Sequence, residues 1–381
     1  MSTGNRADED RIARAAISLA IEPGDWRALG LTRELGPQQF LDVLRHQPEA
    51  RPEFGAAAAR LAETDAERVL ERSASRGIRF VVPGDDEWPR QLDDLARAGV
   101  LHERGGVPVG LWARGPLRLD TVGESVAVVG ARSSTTDGDQ IGSDLSASIG
   151  AAGRPVISGA AFGIDYAAHR GALSADAPTV AVIACGVDRA YPVAHRQLLA
   201  HLAERHAVIS EAPPGSAPFR IRFLARNRLI AGLSRGTLVV EAAIRSGALN
   251  TASWAERLNR VVMATPGLVS SAASEGTHQL IRRGSATLVT SAAEVLELVG
   301  VAGQDLAPEP RAPDRPRDRL SVRARQVLDA VPVATPVPAD SIARVAGLGV
   351  EDVRRLLSGM AEADLVERLP TGWRLTAEGR G

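Results

Sequence analysis

A turn that follows an apolar segment carries the first residues suited to ligand chemistry. Residues 126–138 read VAVVGARSSTTDG, so an apolar run ends at Gly130 and is followed by Arg132 and four hydroxyl side chains. Those hydroxyl residues are Ser133, Ser134, Thr135 and Thr136. A guanidinium and hydroxyl donors near a helix N-terminus suit one phosphate group. The same hydroxyls also suit a capping role for the next helix, helped by Asp137.

The turn lacks the glycine spacing of a dinucleotide site. A G-x-G-x-x-G match starting at Gly130 needs glycines where the chain has Arg132 and Thr135, and NAD pyrophosphate requires that close glycine backbone. The sequence has no Walker A motif, no HExxH motif and no paired zinc spacing. We therefore predict no cofactor, no metal site and no catalytic residue.

A second loop, in the stretch VISGAAFGIDYAAHRGAL, follows another apolar run. Ser158, Gly159 and Gly163 belong to this loop, and its glycines would let backbone N–H groups approach a ligand. Asp165 and His169 stand four residues apart on the predicted helix that follows. That spacing fits either a catalytic pair or a local hydrogen bond that orients the loop.

The stretch from Ala212 to Val240 contains no acidic residue. Its arginines are Arg220, Arg222, Arg226, Arg228 and Arg235. Phe219 and Phe223 are interleaved with them, and such aromatic rings can stack on bases. The segment predicts a nucleic-acid surface, unless the rings are core and the arginines pair with distant acids.

Two further loops follow predicted strands. The turn at Gly186 leads to Tyr191, which either supports a flat ligand or belongs to a plain turn. Glu241 ends another strand and precedes Ser246 and Gly247 at a predicted helix start. The Glu241 carboxylate fits either a general base or a group that holds one arginine of the basic segment in place.

Apolar and helical stretches alternate regularly along the middle of the chain. Strands are predicted at residues 126–129, 156–158, 180–184, 207–210, 237–241, 261–264 and 286–289. Helices are predicted at residues 138–152, 164–174, 194–204, 248–258 and 274–283. This alternation predicts an α/β fold with a Rossmann-like parallel sheet covered on both faces. Ligands of such sheets lie at the carboxyl ends of the strands, where the loops above converge.

Flanking segments differ from this core in composition. We predict the domain organisation in chain order: a small helical (SAM-like) domain at 1–75, a Rossmann-like domain at 76–301 with lead-in strands at 76–123 and a core at 124–301, a Pro-rich linker at 302–318, and a winged-helix domain at 319–381.

Bulk composition limits the function classes. The net charge of the 381 residues is −1, so a nucleic-acid binder needs a local basic patch. The chain has no lysine, so every one of its 45 basic residues is arginine. Its one cysteine, Cys185, excludes an intrachain disulfide and fits a reducing compartment. No stretch has 18 consecutive apolar residues and no signal core is evident, so we expect a cytoplasmic protein.

Several motifs together resemble the DNA-processing protein A family (DprA/Smf). They are VAVVGARSSTTDG, SGAAFGIDYAAHRGAL, IACGVDRAYPVAHRQL, ISEAPPG, RNRLIAGLS, VVEAAIRSGALNTA, ATPG and EGTHQLIRRGS, and they cover residues 124–298. The resemblance implies a domain that binds and protects single-stranded DNA, loads RecA onto incoming DNA during natural transformation, and forms a homodimer. It implies no catalysis.

The resemblance also places the DNA-contacting groups. Together with the loop residues above, it predicts phosphate contacts by Arg132, Ser133, Ser158, Gly159, Gly163, Arg226, Asn227, Arg228, Ser246 and Gly247. Supporting roles are expected for Asp165, His169, Phe223 and Glu241. The chain departs from the family pattern at Phe162, where family members often carry arginine, and at Leu224, where they often carry proline.

Two other functions remain open from the sequence. One is a nucleotide-processing enzyme of the phosphoribohydrolase type, although its PGGxGT loop is missing and the nearest string is SRGTLVVE. The other is a nucleotide-sensing winged-helix regulator. Its predicted recognition helix has mixed charge, with Arg354 and Arg355 beside Glu351, Asp352 and Glu362, which is poor for reading a major groove.

Overall fold

A computed structural model describes residues 3–46, 52–308 and 315–380, and the side chains of residues 3–6 are outside the description. The chain divides into two compact units between Ala307 and Pro308. The predicted linker at 302–318 therefore spans this boundary, and its residues 309–314 lie outside the described residues.

In the described residues, five α-helices precede the sheet. They are α1 (Thr3–Ala20), α2 (Trp26–Leu35), α3 (Pro37–His46), α4 (Gly55–Ala62) and α5 (Ala66–Ala74). Ile17 and Phe40 of these helices share a buried cluster with Phe80 and Trp112 of the sheet. The described part of the predicted domain 1–75 thus belongs to the same compact unit as the sheet.

Nine strands form the main sheet of the first unit. The strands of this unit are β1 (Ile78–Val81), β2 (Val100–Leu101), β3 (Arg104–Gly105), β4 (Leu111–Arg114), β5 (Val126–Val129), β6 (Val156–Ser158), β7 (Thr179–Val182), β8 (Ala207–Ser210), β9 (Gly236–Val239), β10 (Val261–Ala264) and β11 (Thr287–Leu288). The sheet order is β1-β4-β8-β7-β6-β5-β9-β10-β11, and β2 and β3 form a separate hairpin. β1 and β4 are antiparallel additions at one edge, and the other seven strands are parallel.

Helices cover this sheet. They are α6 (Thr136–Ala151), α7 (Ile164–Ser174), α8 (Arg196–Arg205), α9 (Arg220–Leu233), α10 (Gly247–Arg257), α11 (Glu275–Arg282) and α12 (Ala292–Val299). Strand order reverses between β5 and β9, because β6, β7 and β8 follow on one side and β10 and β11 on the other. Such a reversal opens a crevice at the carboxyl ends of the two central strands.

The acid-free stretch from Ala212 to Val240, for which no helix was predicted, contains the helix α9. Every residue from Ala225 to Leu233 is buried, because the helix packs beneath the strands and against α10. A helix that is buried on all sides lacks the one-sided apolar stripe that identifies surface helices in a sequence. The missing stripe explains why the sequence did not indicate this helix.

The described residues of the second unit form three α-helices and a hairpin. They are α13 (Val322–Asp329), α14 (Ala339–Ala346), α15 (Val350–Glu362), β12 (Val366–Leu369) and β13 (Gly372–Leu375). Val327, Leu357 and Leu365 are part of its own buried core. The assignment of residues 319–381 as a winged-helix domain stays a prediction.

Candidate nucleic-acid interface

A large open cleft lies at the carboxyl ends of β5 and β9. Its volume is about 1010 Å³, and it is bounded by the loop after β5, by helix α9 and by the start of α10. Four arginines line it, namely Arg132, Arg220, Arg226 and Arg245. Asp165 is the one carboxylate among the described lining residues. The cleft therefore presents a concentrated positive charge in a chain whose net charge is −1.

The Arg132 guanidinium packs over the ring of Phe223 inside the cleft. Its guanidinium carbon lies 5.0 Å from the centroid of the Phe223 ring. The Tyr191 ring packs against the same Phe223, with centroids 5.6 Å apart. Arg132 is exposed and has no hydrogen bond or ion pair to the described residues. Its donors are thus held over the ring and remain available to an anion.

Arg226 forms the floor of the cleft and depends on Gly159. Arg226 Nη1 donates to the Val182 carbonyl oxygen at 2.9 Å, whereas its buried Nε finds no partner among the described residues. A Cβ atom at position 159 would lie 1.5 Å from Nη1. Gly159 therefore makes room for a guanidinium. Burial raises the pKa of the nearby Asp165 carboxyl, an effect that the charge of Arg226 opposes.

The hydroxyl run after β5 mostly serves the protein itself. Thr135 is the N-cap of α6 and accepts from the Gly138 N–H at 3.0 Å. Its own N–H and hydroxyl both donate to Glu241, at 2.9 and 2.6 Å. Ser134 donates to Asp139. The capping alternative thus holds for these hydroxyls, with Asp139 in the place expected for Asp137, while Ser133 stays exposed on the cleft.

Glu241 has neither of the roles expected for it. Both carboxylate oxygens accept hydrogen bonds from Thr135, so Glu241 does not hold an arginine. Its side chain fills the space beside Gly138, where a Cβ atom would lie 2.3 Å from the Glu241 Cδ. A buried carboxylate at a helix N-terminus is stabilised by the exposed N–H groups there. Glu241 is therefore a cap for α6.

Two residues of the second loop also face protein atoms. The Ser158 hydroxyl is buried and donates to the Val128 carbonyl oxygen at 2.6 Å. Gly163 has φ +72°, and a Cβ atom there would lie 2.2 Å from the Ala131 carbonyl oxygen. Gly163 thus lets the second loop rest on the loop that carries Arg132. In this structure both residues position cleft groups.

Asp165 and His169 do not form the expected pair. Asp165 accepts from the Ala161 N–H at 3.4 Å, and His169 Nδ1 contacts the Thr179 hydroxyl at 2.8 Å. Burial is the main reason that the pKa of His169 is lowered to about 3. His169 is therefore a neutral, buried residue of α7, and the structure supports neither a catalytic nor a hydrogen-bonded pair.

Arg228 is separated from the cleft. Its side chain is fully buried and donates to Glu211 at 2.7 Å, with further bonds to the carbonyl oxygens of Gly105 and Ala225. The prediction that Arg228 contacts phosphate conflicts with this placement, because a fully buried guanidinium exposes no donor to the cleft. Arg226 and Arg228 are two residues apart on a helix and so point in different directions.

Two more arginines of the acid-free segment pair with distant acids. Arg222 bonds to Glu22 at 2.8 Å and Arg235 to Glu124. The bond from Arg222 lowers the pKa of Glu22. The alternative in which the arginines pair with acids elsewhere therefore holds for Arg222, Arg228 and Arg235.

The start of α10 completes the cleft wall. The Ser246 hydroxyl caps this helix by accepting from the Ala248 N–H, and Gly247 follows at its first position. Asn227 Nδ2 donates to the Gly247 carbonyl at 3.3 Å and to Asn250 Oδ1 at 3.1 Å. Asn227 thus connects α9 to the N-terminus of α10, where free N–H groups favour anions.

Among the basic side chains that line the cleft, Arg245 and His102 were not identified from the sequence. Arg245 is exposed beside the α10 N-terminus, and His102 is exposed on the hairpin formed by β2 and β3. Arg245 stands next to the predicted Ser246, so its position after a strand was a usable signal. His102 had none, because it reaches the cleft from a segment outside the repeated strand–helix pattern.

These features define a Rossmann-like α/β protein with a basic cleft for an anionic ligand at the reversal of strand order. Within residues 3–46, 52–308 and 315–380, no group of His, Cys, Asp or Glu side chains is arranged to hold a metal ion. Among the same residues, every helix is too short or too polar to cross a bilayer.

Comparisons with known proteins place the chain in a family. The family model described as DNA recombination-mediator protein A matches residues 79–300, and the chain belongs to this family. The chain is 41% identical over 379 residues to a putative DNA processing protein DprA of Mycobacterium tuberculosis, which covers 97% of this chain and 95% of that protein. It is 39% identical over 216 residues to DNA processing protein DprA of Streptococcus pneumoniae, covering 56% and 71% of the two chains.

Solved structures agree with this placement. The X-ray structure of the Streptococcus pneumoniae DprA matches with a TM-score of 0.60 and 30% identity, over 74% of this chain and 95% of that one. The Helicobacter pylori DNA processing protein A shares the fold, with a TM-score of 0.50 and 24% identity over 57% of this chain and 94% of that one. The family is one of DNA-binding recombination mediators and not of catalytic enzymes.

Proposed function

We propose that this chain binds single-stranded DNA in the basic cleft and protects it during recombination. The observation that carries the proposal is the exposed guanidinium of Arg132, which packs over Phe223 in the same cleft as the N-terminus of α10. Arg220 and Arg245 are exposed on the same cleft. Several cations around one open groove suit a polyanion better than a single small ligand.

The names of relatives support this ligand. The Streptococcus pneumoniae and Bacillus subtilis relatives are DNA processing proteins, and the Helicobacter pylori structure concerns a single-stranded DNA binding mode. RecA loading during natural transformation and a homodimeric state rest on the resemblance to the DprA/Smf family. Both belong to the proposal.

The proposed contacts divide by chemistry. The exposed arginines and the N–H groups at the start of α10 bind phosphates, which fixes the strand without reading its sequence. Phe223 is half-buried and contacts both the Arg132 guanidinium and the Tyr191 ring, so it orients the phosphate-binding groups. Arg226, Gly159 and Gly163 hold the cleft in shape from below, and we leave Arg228 out of the DNA-contacting set.

The test is a salt titration of binding to a fluorescent oligonucleotide. Loss of one phosphate-bound cation lowers the slope of log affinity against log salt by roughly 0.7 for a single strand. We expect that reduction, with weaker binding, for Arg132→Ala and separately for Arg245→Ala, since both arginines are exposed on the cleft. The control is Arg118→Ala, since Arg118 is exposed and paired with Asp120 away from the cleft lining.

Unchanged affinity and slope in both cleft variants would contradict the proposed site. RecA loading is tested separately, by measuring filament formation on strands coated with a single-strand binding protein, with and without this chain. Sedimentation of the full chain at several concentrations tests the homodimer.

A further inference from the structure

Few aromatic side chains of this protein are exposed, and most of those few surround the cleft. In the described part of the chain the exposed aromatics are Trp26, Phe162, Tyr191 and Phe219. Tyr191 lines the cleft, Phe162 lies between the lining residues Ala161 and Asp165, and Phe219 lies between Pro218 and Arg220. Three of the four exposed rings are thus on segments that form the cleft wall.

Phe162 stands out because it is both exposed and firmly supported. Its side chain is 48% exposed. The ring forms a T-shaped pair with the ring of His195, with centroids 4.8 Å apart and an interplanar angle of 68°. His195 in turn stacks on Tyr166 at 4.6 Å and contacts the Ala160 carbonyl oxygen through Nδ1 at 2.9 Å.

The backbone beside Phe162 is also fixed relative to Arg132. Gly163 follows immediately, and its Cα packs against the carbonyl oxygens of Ala131 and Arg132. The Ile164 N–H donates to the same Ala131 oxygen at 3.2 Å. The exposed ring is therefore held in place next to the phosphate-binding loop, which reduces the entropy lost when a ligand covers it.

We propose that Phe162 is a stacking platform for an unpaired base of the strand whose phosphates lie in the cleft. The inference rests on the proposed function and adds to it a contact with bases. Every base has a π-face, so such a platform tolerates any sequence. Bases in a duplex are already stacked on one another, so the platform favours single strands over duplexes.

The experiment compares two ligands of equal length, an oligothymidylate and an abasic strand with the same phosphates. For the oligothymidylate we expect Phe162→Ala and Phe162→Leu to weaken binding roughly tenfold, the loss of one stacked base. We expect Phe162→Trp to retain wild-type affinity. The salt slope and the affinity for the abasic strand remain unchanged in all three variants, because the phosphate contacts remain.

The control is Val193→Ala, which removes an exposed aliphatic side chain that has no π-face. A second measurement uses the wild-type chain, in which a strand carrying 5-iodouracil is expected to photo-crosslink to Phe162. Because the crosslinking uses only the wild-type chain, it tests the proposal even if the alanine variant fails to fold.

The outcomes separate this inference from the proposed function. Suppose that the wild-type chain binds strands in a salt-dependent manner. The stacking role alone is then overturned if Phe162→Ala loses equal affinity for both strands, or if crosslinks form only at other residues. The stacking role is also overturned if Phe162→Ala and Phe162→Leu bind the oligothymidylate with wild-type affinity. Failure of the wild-type chain to bind either strand overturns the proposed function and the stacking role together.

Discussion

Glu241 and Thr135 are bonded through both oxygens of the carboxylate. The Thr135 N–H donates to one oxygen at 2.9 Å and the Thr135 hydroxyl to the other at 2.6 Å. A protein carboxylate thus occupies the N-terminus of α6, where Rossmann-like sheets hold the pyrophosphate of a dinucleotide. Free nucleotides would have to displace Glu241 at this position, whereas Arg132 and the start of α10 remain accessible to a strand.

We predict that Glu241→Ala destabilises the protein by about 1.5–3 kcal/mol, because it removes two part-buried hydrogen bonds to a charged group. Glu241→Gln keeps one acceptor oxygen and is expected to lose less. The measurement is the free energy of unfolding in urea. As a control, Glu294→Ala removes a carboxylate that caps α12 at the exposed surface, where water replaces the lost bonds. A Glu241→Ala variant as stable as the wild type would rule out the capping role.

Gly159→Ala is expected to weaken strand binding while leaving the protein folded. The new Cβ atom would overlap Nη1 of Arg226, so the guanidinium must leave the Val182 carbonyl oxygen. The displaced group is the end of a long side chain, so the backbone is spared. Strand affinity is measured by fluorescence anisotropy and compared with Gly123→Ala, where a Cβ atom meets nothing within 4 Å. Equal affinity in the two variants would show that Arg226 does not depend on Gly159.

Arg228→Met is expected to reduce stability by about 3–5 kcal/mol, because it leaves Glu211 as an uncompensated buried charge. The double variant Arg228→Met/Glu211→Leu removes both charges and should be more stable than the single variant. Denaturant unfolding measures both, with Arg118→Met as the exposed control. At temperatures where the variants are folded, their salt slope for strand binding should equal that of the wild type. A reduced salt slope in the Arg228 variants would instead show that Arg228 contacts DNA.

The stability of the protein is expected to fall in mild acid because of His169. Its pKa is lowered from 6.5 to about 3, so between these values the unfolded chain binds a proton that the folded chain does not. Stability is therefore greatest above pH 6.5 and declines as the pH falls toward 3, by about 1.4 kcal/mol per pH unit over most of that range.

His169→Gln should flatten this part of the pH profile, measured as the free energy of unfolding at several pH values. The exposed His46→Gln serves as the control. A profile of His169→Gln that is parallel to the wild-type profile would mean that another group causes the loss in acid.

Much of the architecture could be predicted from local patterns. The apolar runs at 126–129, 156–158, 207–210 and 261–264 are strands of the main sheet, with the bounds expected for them. Such runs can be recognised in the sequence because each strand is short and continuous and is followed within a few residues by glycine or proline. The convergence of their loops follows from parallel topology, since all carboxyl ends share one edge. Helix α9 escaped this reasoning because it is buried on every side.

The roles of the arginines depended on long-range packing. Composition and motif spacing indicated a basic region within residues 212–240, and Arg226 does line the cleft. Arg222 and Arg228, however, are neutralised by Glu22 and Glu211, and the first of these partners is 200 residues away in the chain. Each step along a helix turns a side chain by about 100°, so neighbours in the sequence face different surroundings. Where a guanidinium points, and which carboxylate meets it, emerges when distant segments pack together.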